Sequence, residues 1–270
     1  MQNEEWKVVS KRMAVKPARI PPTIKKHNFQ YLNKDFKKKD RSKNAMQNSS
    51  ENVIYFIEEK MQALKKSEFF QELKKIIDFQ LLPPNRPALV DIVCYGIGSI
   101  EKSCTSQYQF ALMLLFKNLF QIIGKIYAYD PIFSQVDTEV LTHYNIESIK
   151  INEKAKRVVT NQTLFYMPHC PLGLYNNLIE ANWDRIKLKD VIIVGNRFDF
   201  YNESSCVFYA LKILKIHLFP STTIQSPAIP DNTFNDLCWQ WFPIDRVDSY
   251  KEDSEFWILK RESNEDQEII

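Results

Sequence analysis

Two short stretches hold the residue types best suited to chemistry. The first is Gly96-Ile97-Gly98-Ser99, which follows an apolar run and precedes a helical one. Glycine lets the backbone turn tightly and lets a phosphate or adenosyl group approach the amides, so this is the first half of a dinucleotide-binding turn. Asp130, at the end of the next apolar run, stands where a carboxylate would hold a ribose diol. Two features oppose that reading. Glu101 replaces the third glycine and would repel phosphate, and Asp130 lies well beyond the spacing of about 20 residues in the standard unit. A turn-forming GxG that binds no nucleotide is at least as well supported.

The second stretch is Pro168-His169-Cys170-Pro171. Imidazole and thiolate are both axial ligands of haem iron, so His169 and Cys170 are candidate iron ligands. His169 could also act as a general base. The plainer alternative is a pair of packed, hydrogen-bonded residues at a strand-to-helix turn. Asn196, after Gly195, could bind a polar ligand or simply make a turn. The chain has no GxSxG elbow, Walker loop or HExxH motif. Haem and an adenosyl nucleotide are thus the two cofactors left open, and no residue is assigned a catalytic role.

These stretches need strands and helices to position them. Apolar runs at 89–95, 125–129, 147–151, 163–167 and 191–195 read as strands, with 237–242 as a last one. Helical patterns cover 106–123, 137–143, 174–183 and 206–214. Strands alternating with helices predict an α/β fold: a Rossmann-like, mostly parallel sheet with helices on both faces. Such sheets place ligands at the carboxyl ends of their strands, where 96–99, 130–131, 168–171 and 195–196 all fall. A helical preface over 49–82 precedes this domain, with Val53, Ile54, Ile57, Met61 and Leu64 at helical spacing. The α/β domain is expected over 83–247 and an acidic, loose tail over 248–270.

Composition narrows the class. Residues 1–50 hold 13 Lys/Arg against 4 Asp/Glu, while the whole chain carries only +3. Residues 1–48 therefore read as a basic, disordered tail. With no aromatic stacking ladder or recognition helix, nucleic acid is disfavoured as a partner. Five cysteines at wide spacing, with no CxxC pair, suit a reducing cytosolic or nuclear compartment. Lys37-Lys38-Lys39 with Arg41 and Lys43 is a weak nuclear address. The longest apolar run, Phe110 to Phe116, is far short of a membrane span, and no signal peptide is expected.

The motifs form an ordered series. Val93-Cys94-Tyr95-Gly96-Ile97-Gly98-Ser99 comes first, followed by a long helix with Gln109 and then Tyr129-Asp130-Pro131. Phe165-Tyr166-Met167-Pro168-His169-Cys170-Pro171 then runs into Leu174-Tyr175-Asn176-Asn177. Ile193-Val194-Gly195-Asn196 and Phe234-Asn235-Asp236 close the series. Over roughly residues 88–242 this resembles the sensitivity-to-red-light-reduced (SRR-like) family, and Trp6-Lys7-Val8-Val9 resembles the family's opening. The chain departs from the pattern at Asn145, where glycine is expected, and at Arg197, where a small residue is usual. The resemblance implies a regulatory protein, linked to circadian clock input, clock-gene expression and control of haem biosynthesis. It brings no defined reaction. Three readings follow: a regulatory protein with a ligand pocket, an enzyme using an adenosyl cofactor, or a scaffold for protein partners with Trp239, Trp241 and Phe242 on its surface.

Overall fold

A computed structural model describes residues 49–78, 89–201, 206–220, 229–230, 232–252 and 254–259. The basic stretch 1–48, the proline-rich end of the preface and residues 260–270 lie outside the described residues.

The preface forms helices α1 (Ser50–Lys66) and α2 (Glu68–Ile76). Val53, Ile57, Met61 and Leu64 recur every three or four residues and bury one stripe of α1. Ser67 separates the two helices. Its hydroxyl donates to Leu64 O at 2.7 Å and accepts from the Phe70 N–H at 3.2 Å, so one side chain ends one helix and caps the next.

The strands are β1 (Asp91–Tyr95), β2 (Ile126–Tyr129), β3 (Glu147–Ser148), β4 (Thr163–Met167), β5 (Val191–Asn196), β6 (Lys215–Leu218) and β7 (Leu237–Trp241). They form one sheet in the order β3-β2-β1-β4-β5-β7-β6. The first five are parallel, and β7 lies antiparallel between β5 and β6. This is the expected Rossmann-like α/β fold. Strands β1 and β4 read as near-continuous apolar runs because both their faces are buried.

Helices α3 (Cys104–Leu119) and α4 (Gln135–His143) cover one face with the preface. Residues 106–116 of α3 are all buried because the sheet lies below and α1 above. Helices α5 (Leu172–Ala181), α6 (Cys206–Ala210) and α7 (Ile244–Asp248) cover the other face. Alternation along each strand divides the two cores: Ile92 and Cys94 face the first, Val93 and Tyr95 the second.

Three local differences stand out. The helix expected over 206–214 stops at Ala210, and Lys215–Leu218 is an edge strand. Its side chains are only partly buried or exposed, so no hydrophobic alternation marks it, and pairing with β7 makes it a strand. The third strand is two residues long rather than five. Tyr250, Phe256 and Trp257, within the stretch expected to be loose, are packed: Phe256 stacks on Tyr250 with ring centres 3.8 Å apart and meets Trp183 at 5.3 Å, and Trp257 meets Trp183 at 5.6 Å. Among the described residues no helix is long and apolar enough to cross a membrane.

Candidate functional site

The chain reverses direction across the sheet between β1 and β4, since β2 and β3 add on one side and β4 and β5 on the other. Ligands in open α/β sheets lie outside the carboxyl ends at such a boundary. Gly96, Gly98, Ser99, Asp130, His169, Cys170 and Asn196 all lie along this edge of the sheet.

The loop after β1 holds Gly96 at φ 70° and Gly98 at φ 77°, a region that glycine enters without steric cost. Asp130 Oδ2 accepts the Gly98 N–H at 2.7 Å, and its Oδ1 accepts the Ile132 N–H at 3.0 Å. The carboxylate that would hold a ribose is thus bonded to the very loop whose amides would approach a nucleotide. Ser99 is likewise turned inward, its hydroxyl donating to Asp137 Oδ2 at 3.0 Å. Asp137 is fully buried and also accepts the Glu101 N–H at 2.7 Å and the Ser134 N–H at 2.9 Å. Glu101, suspected of repelling phosphate, accepts from the Ser134 hydroxyl at 2.8 Å. Asp137 therefore organises the loop. Its signal in the sequence was the capping box Ser134-x-x-Asp137 at the start of α4.

The turn after β4 separates its two candidates. His169 is exposed and has φ 55°, rare for a non-glycine residue. Asn196 stabilises that turn. Its Oδ1 accepts the His169 N–H at 3.0 Å, and its Nδ2 donates to Cys170 O and to the Tyr201 hydroxyl, each at 3.0 Å. Asn196 is itself held by the Tyr175 hydroxyl, which accepts its N–H at 2.9 Å, and by Gln240 Nε2, which donates to its carbonyl at 3.0 Å. The His169 ring lies with Nε2 3.3 Å from Thr233 O. A carbonyl only accepts, so in this contact Nε2 carries the proton and donates it to Thr233 O. Thr233 O also accepts from Gln109 Nε2 at 3.0 Å, which ties the turn to α3. Gln109, Thr233, Tyr175 and Gln240 were not among the predicted site residues. Gln109, Thr233 and Gln240 are recruited by chain packing from distant segments, and Tyr175 from the helix that follows the turn.

Cys170 points the other way. It is buried, its sulfur lies 3.3 Å from Tyr95 O, and burial pushes its thiol well above the ordinary range. The thiolate that haem iron requires is disfavoured there, so Cys170 does not fit an axial ligand in this conformation. His169, whose side chain is exposed, does fit one. Arg197 does not lie across the edge. Its guanidinium is paired with Asp199 at 3.0 and 2.5 Å and stacked 4.2 Å from the Phe200 ring centre. The edge thus presents one oriented imidazole on a rigid polar network. Among the described residues no group of three or more His, Cys, Asp or Glu side chains converges to hold a metal ion.

Comparison with known proteins bears on what this edge belongs to. An SRR1-like protein of Mus musculus is 44% identical over 111 residues, 40% of this chain and 45% of the mouse protein. Protein Sensitivity to Red Light Reduced 1 of Arabidopsis thaliana is 36% identical over 115 residues, 42% of each chain. An SRR1-like protein of Drosophila melanogaster is 25% identical over 191 residues, 71% of this chain and 68% of that one. The matched region spans less than half of the mouse and Arabidopsis proteins. Among solved structures, the 23S rRNA methyltransferase ErmE is similar at a TM-score of 0.36 and 12% identity, over 64% of this chain and 68% of that one. A sequence model of the SRR1 domain matches residues 57–241, well over half of the chain, which therefore belongs to the SRR1 family.

Proposed function

We propose that this chain is a regulatory protein of the SRR1 kind, acting in clock input and gene expression and in control of haem biosynthesis. We place its work in the cytoplasm, with access to the nucleus. Its working surface is the carboxyl edge of the sheet around His169. The observation that carries this reading is the exposed His169 side chain, held in a left-handed backbone by Asn196 and anchored through Nε2 to Thr233 O. Strain of this kind persists only where the surroundings enforce it, and it concentrates at binding sites. A haem would be held by His169 alone, and its iron would supply the sensing chemistry. The protein's part is to orient the ring and fix its tautomer. An absorption titration with haemin tests this. The Soret band shifts and saturates at one equivalent in the wild type and in Cys170→Ala, and the shift is lost in His169→Ala. A featureless titration, identical in all three proteins, overturns the haem reading and leaves the edge as a surface for protein partners.

A second reading rests on a separate observation. Gly96 and Gly98 both adopt positive φ at the β1 boundary, beside Asp130 at the end of β2. That supports an enzyme that binds an adenosyl cofactor, provided Asp130 exchanges the Gly98 amide for a ribose hydroxyl. Calorimetric titration with adenosylmethionine and nicotinamide nucleotides decides it. Binding that disappears in Asp130→Ala supports an enzyme, and no heat at millimolar ligand excludes one.

A further inference from the structure

A guanidinium is held well where an aromatic face and a carboxylate stand side by side. Its flat surface lies on the ring while its fork of N–H groups meets both oxygens. The chain builds this arrangement twice. Arg157 donates through Nε and Nη2 to the two oxygens of Glu153, at 3.0 and 2.6 Å, and lies 4.3 Å from the Tyr127 ring centre. Arg197 donates through the same two atoms to Asp199, at 3.0 and 2.5 Å, and lies 4.2 Å from the Phe200 ring centre.

A third aromatic and carboxylate pair stands on the outer face of α1. Glu51, Tyr55 and Glu59 recur every four residues and line up in one exposed row. Tyr55 is 60% exposed, and its hydroxyl donates to Glu59 Oε1 at 2.8 Å. Phe56, 45% exposed, meets the Tyr55 ring edge to face at 5.8 Å. Among the described residues no cation lies over the Tyr55 ring, and no Lys or Arg pairs with Glu51 or Glu59. Lys60 lies instead over the Phe56 and Tyr108 rings, at 5.5 and 5.4 Å. Glu58, also exposed, accepts the Tyr144 hydroxyl at 3.0 Å. Three glutamates against one lysine leave this part of the helix negative. The opposite stripe of α1 packs on α3 and α4, so the row faces away from the sheet and is independent of the function proposed at the carboxyl edge.

We infer that this row is a docking site for a basic, arginine-bearing segment of a partner protein, whose guanidinium lies on the Tyr55 ring and pairs with Glu59. The negative charge of the row selects a cation, and the exposed ring selects the planar guanidinium over a compact ammonium. Tyrosine suits such a surface because it offers a rigid apolar ring with a polar tip. Anisotropy titrations with rhodamine-labelled GRGSGRGSG and its lysine counterpart GKGSGKGSG, at low salt, test this. The arginine peptide binds saturably and several-fold tighter than the lysine peptide. Tyr55→Ala and Glu59→Gln each weaken it by about threefold, the scale of an exposed cation–ring contact or ion pair. Tyr55→Phe, which keeps the ring, changes it little. Glu252→Gln, which removes an exposed carboxylate elsewhere, and His169→Ala, at the sheet edge, leave it unchanged. All these positions are exposed, and circular dichroism verifies that each variant is folded. Equal affinity for the two peptides overturns the inference. So does unchanged binding in both Tyr55→Ala and Glu59→Gln, or an equal loss in Glu252→Gln. Sedimentation of the chain alone as a dimer that Tyr55→Ala dissociates also overturns it, since the occupant is then a second copy.

Discussion

The sulfur of Cys170 occupies the space that a side chain on Gly96 would need: a Cβ built there would lie 2.6 Å from Sγ. The glycine that resembles a nucleotide-binding residue thus makes room for the chain's own cysteine, across the β1–β4 boundary. Gly96→Ala adds that overlap to the cost of φ 70° for an L-residue, about 1–2 kcal/mol. The expected total is about 3 kcal/mol by denaturant unfolding. In a Cys170→Ala background the overlap is relieved and the backbone cost remains, so the penalty falls by at least about 1 kcal/mol. Equal penalties in both backgrounds would refute the steric account.

Asp137 is a buried carboxylate whose work is to hold the loop of residues 99–101 and the start of α4. Asp137→Ala leaves the Ser99 hydroxyl and the Glu101 and Ser134 amides without their acceptor. The expected loss is about 3 kcal/mol or more, since unsatisfied buried donors each cost about 1–3 kcal/mol. Asp137→Asn keeps one acceptor oxygen and should lose less. Thermal and denaturant unfolding of the two variants gives the order.

Thr233 lends its carbonyl to both His169 and Gln109, yet its own buried hydroxyl has no hydrogen-bond partner. Thr233→Val keeps the shape and removes the orphan polar atom. It should be neutral or stabilising by up to about 1 kcal/mol, because the desolvation cost of the hydroxyl disappears. A clear destabilisation would mean that the hydroxyl serves a bound water or ligand at the edge.

Glu153 links the connection between β3 and β4 to stability in acid. Burial alone would raise its carboxyl, but the hydrogen bonds from Arg157 and Tyr95 outweigh burial and hold it below the ordinary value. A lowered folded-state pKa contributes stability that is complete above the unfolded value, about 4.3, and is lost as pH falls through the folded one. Unfolding free energy measured from pH 7 down to pH 3 should therefore fall less steeply at the acid end in Glu153→Gln than in the wild type.

Asn145 stands where the resemblance led to an expectation of glycine, and its backbone suits either residue. It follows the end of α4 at φ 55°, with its N–H donating to Thr142 O at 3.0 Å and the Ile146 N–H donating to Leu141 O at 2.9 Å. That is a left-handed helix stop, which glycine fills best and asparagine next. Asn145→Ala should destabilise by about 1 kcal/mol, and Asn145→Gly should not, as read from the unfolding midpoint.

Much of this architecture was legible because it rests on local pattern. Apolar runs bounded by Gly, Pro and Asp placed β1, β2, β4 and β5, and their alternation with helices implied a parallel sheet. The ends of those strands then located the edge where Gly96, Asp130, His169 and Asn196 lie. Strand β6 was not legible, since an edge strand with no deeply buried face has no hydrophobic period to read. The packing of Tyr250 and Phe256 onto Trp183 was hidden by the acidic residues around them.

The sequence by itself determined the order of elements as far as β5, the two-sided core and the family resemblance, because those follow from side-chain periodicity and motif order. Only the tertiary structure decided which way each side chain at the edge points. His169 and Cys170 are neighbours in the chain, but Asn196 and Thr233 turn the imidazole outward while the gap at Gly96 draws the thiol in. Those partners come from β5, from the segment before β7 and from β1. A choice made by contacts so distant in sequence leaves no local trace.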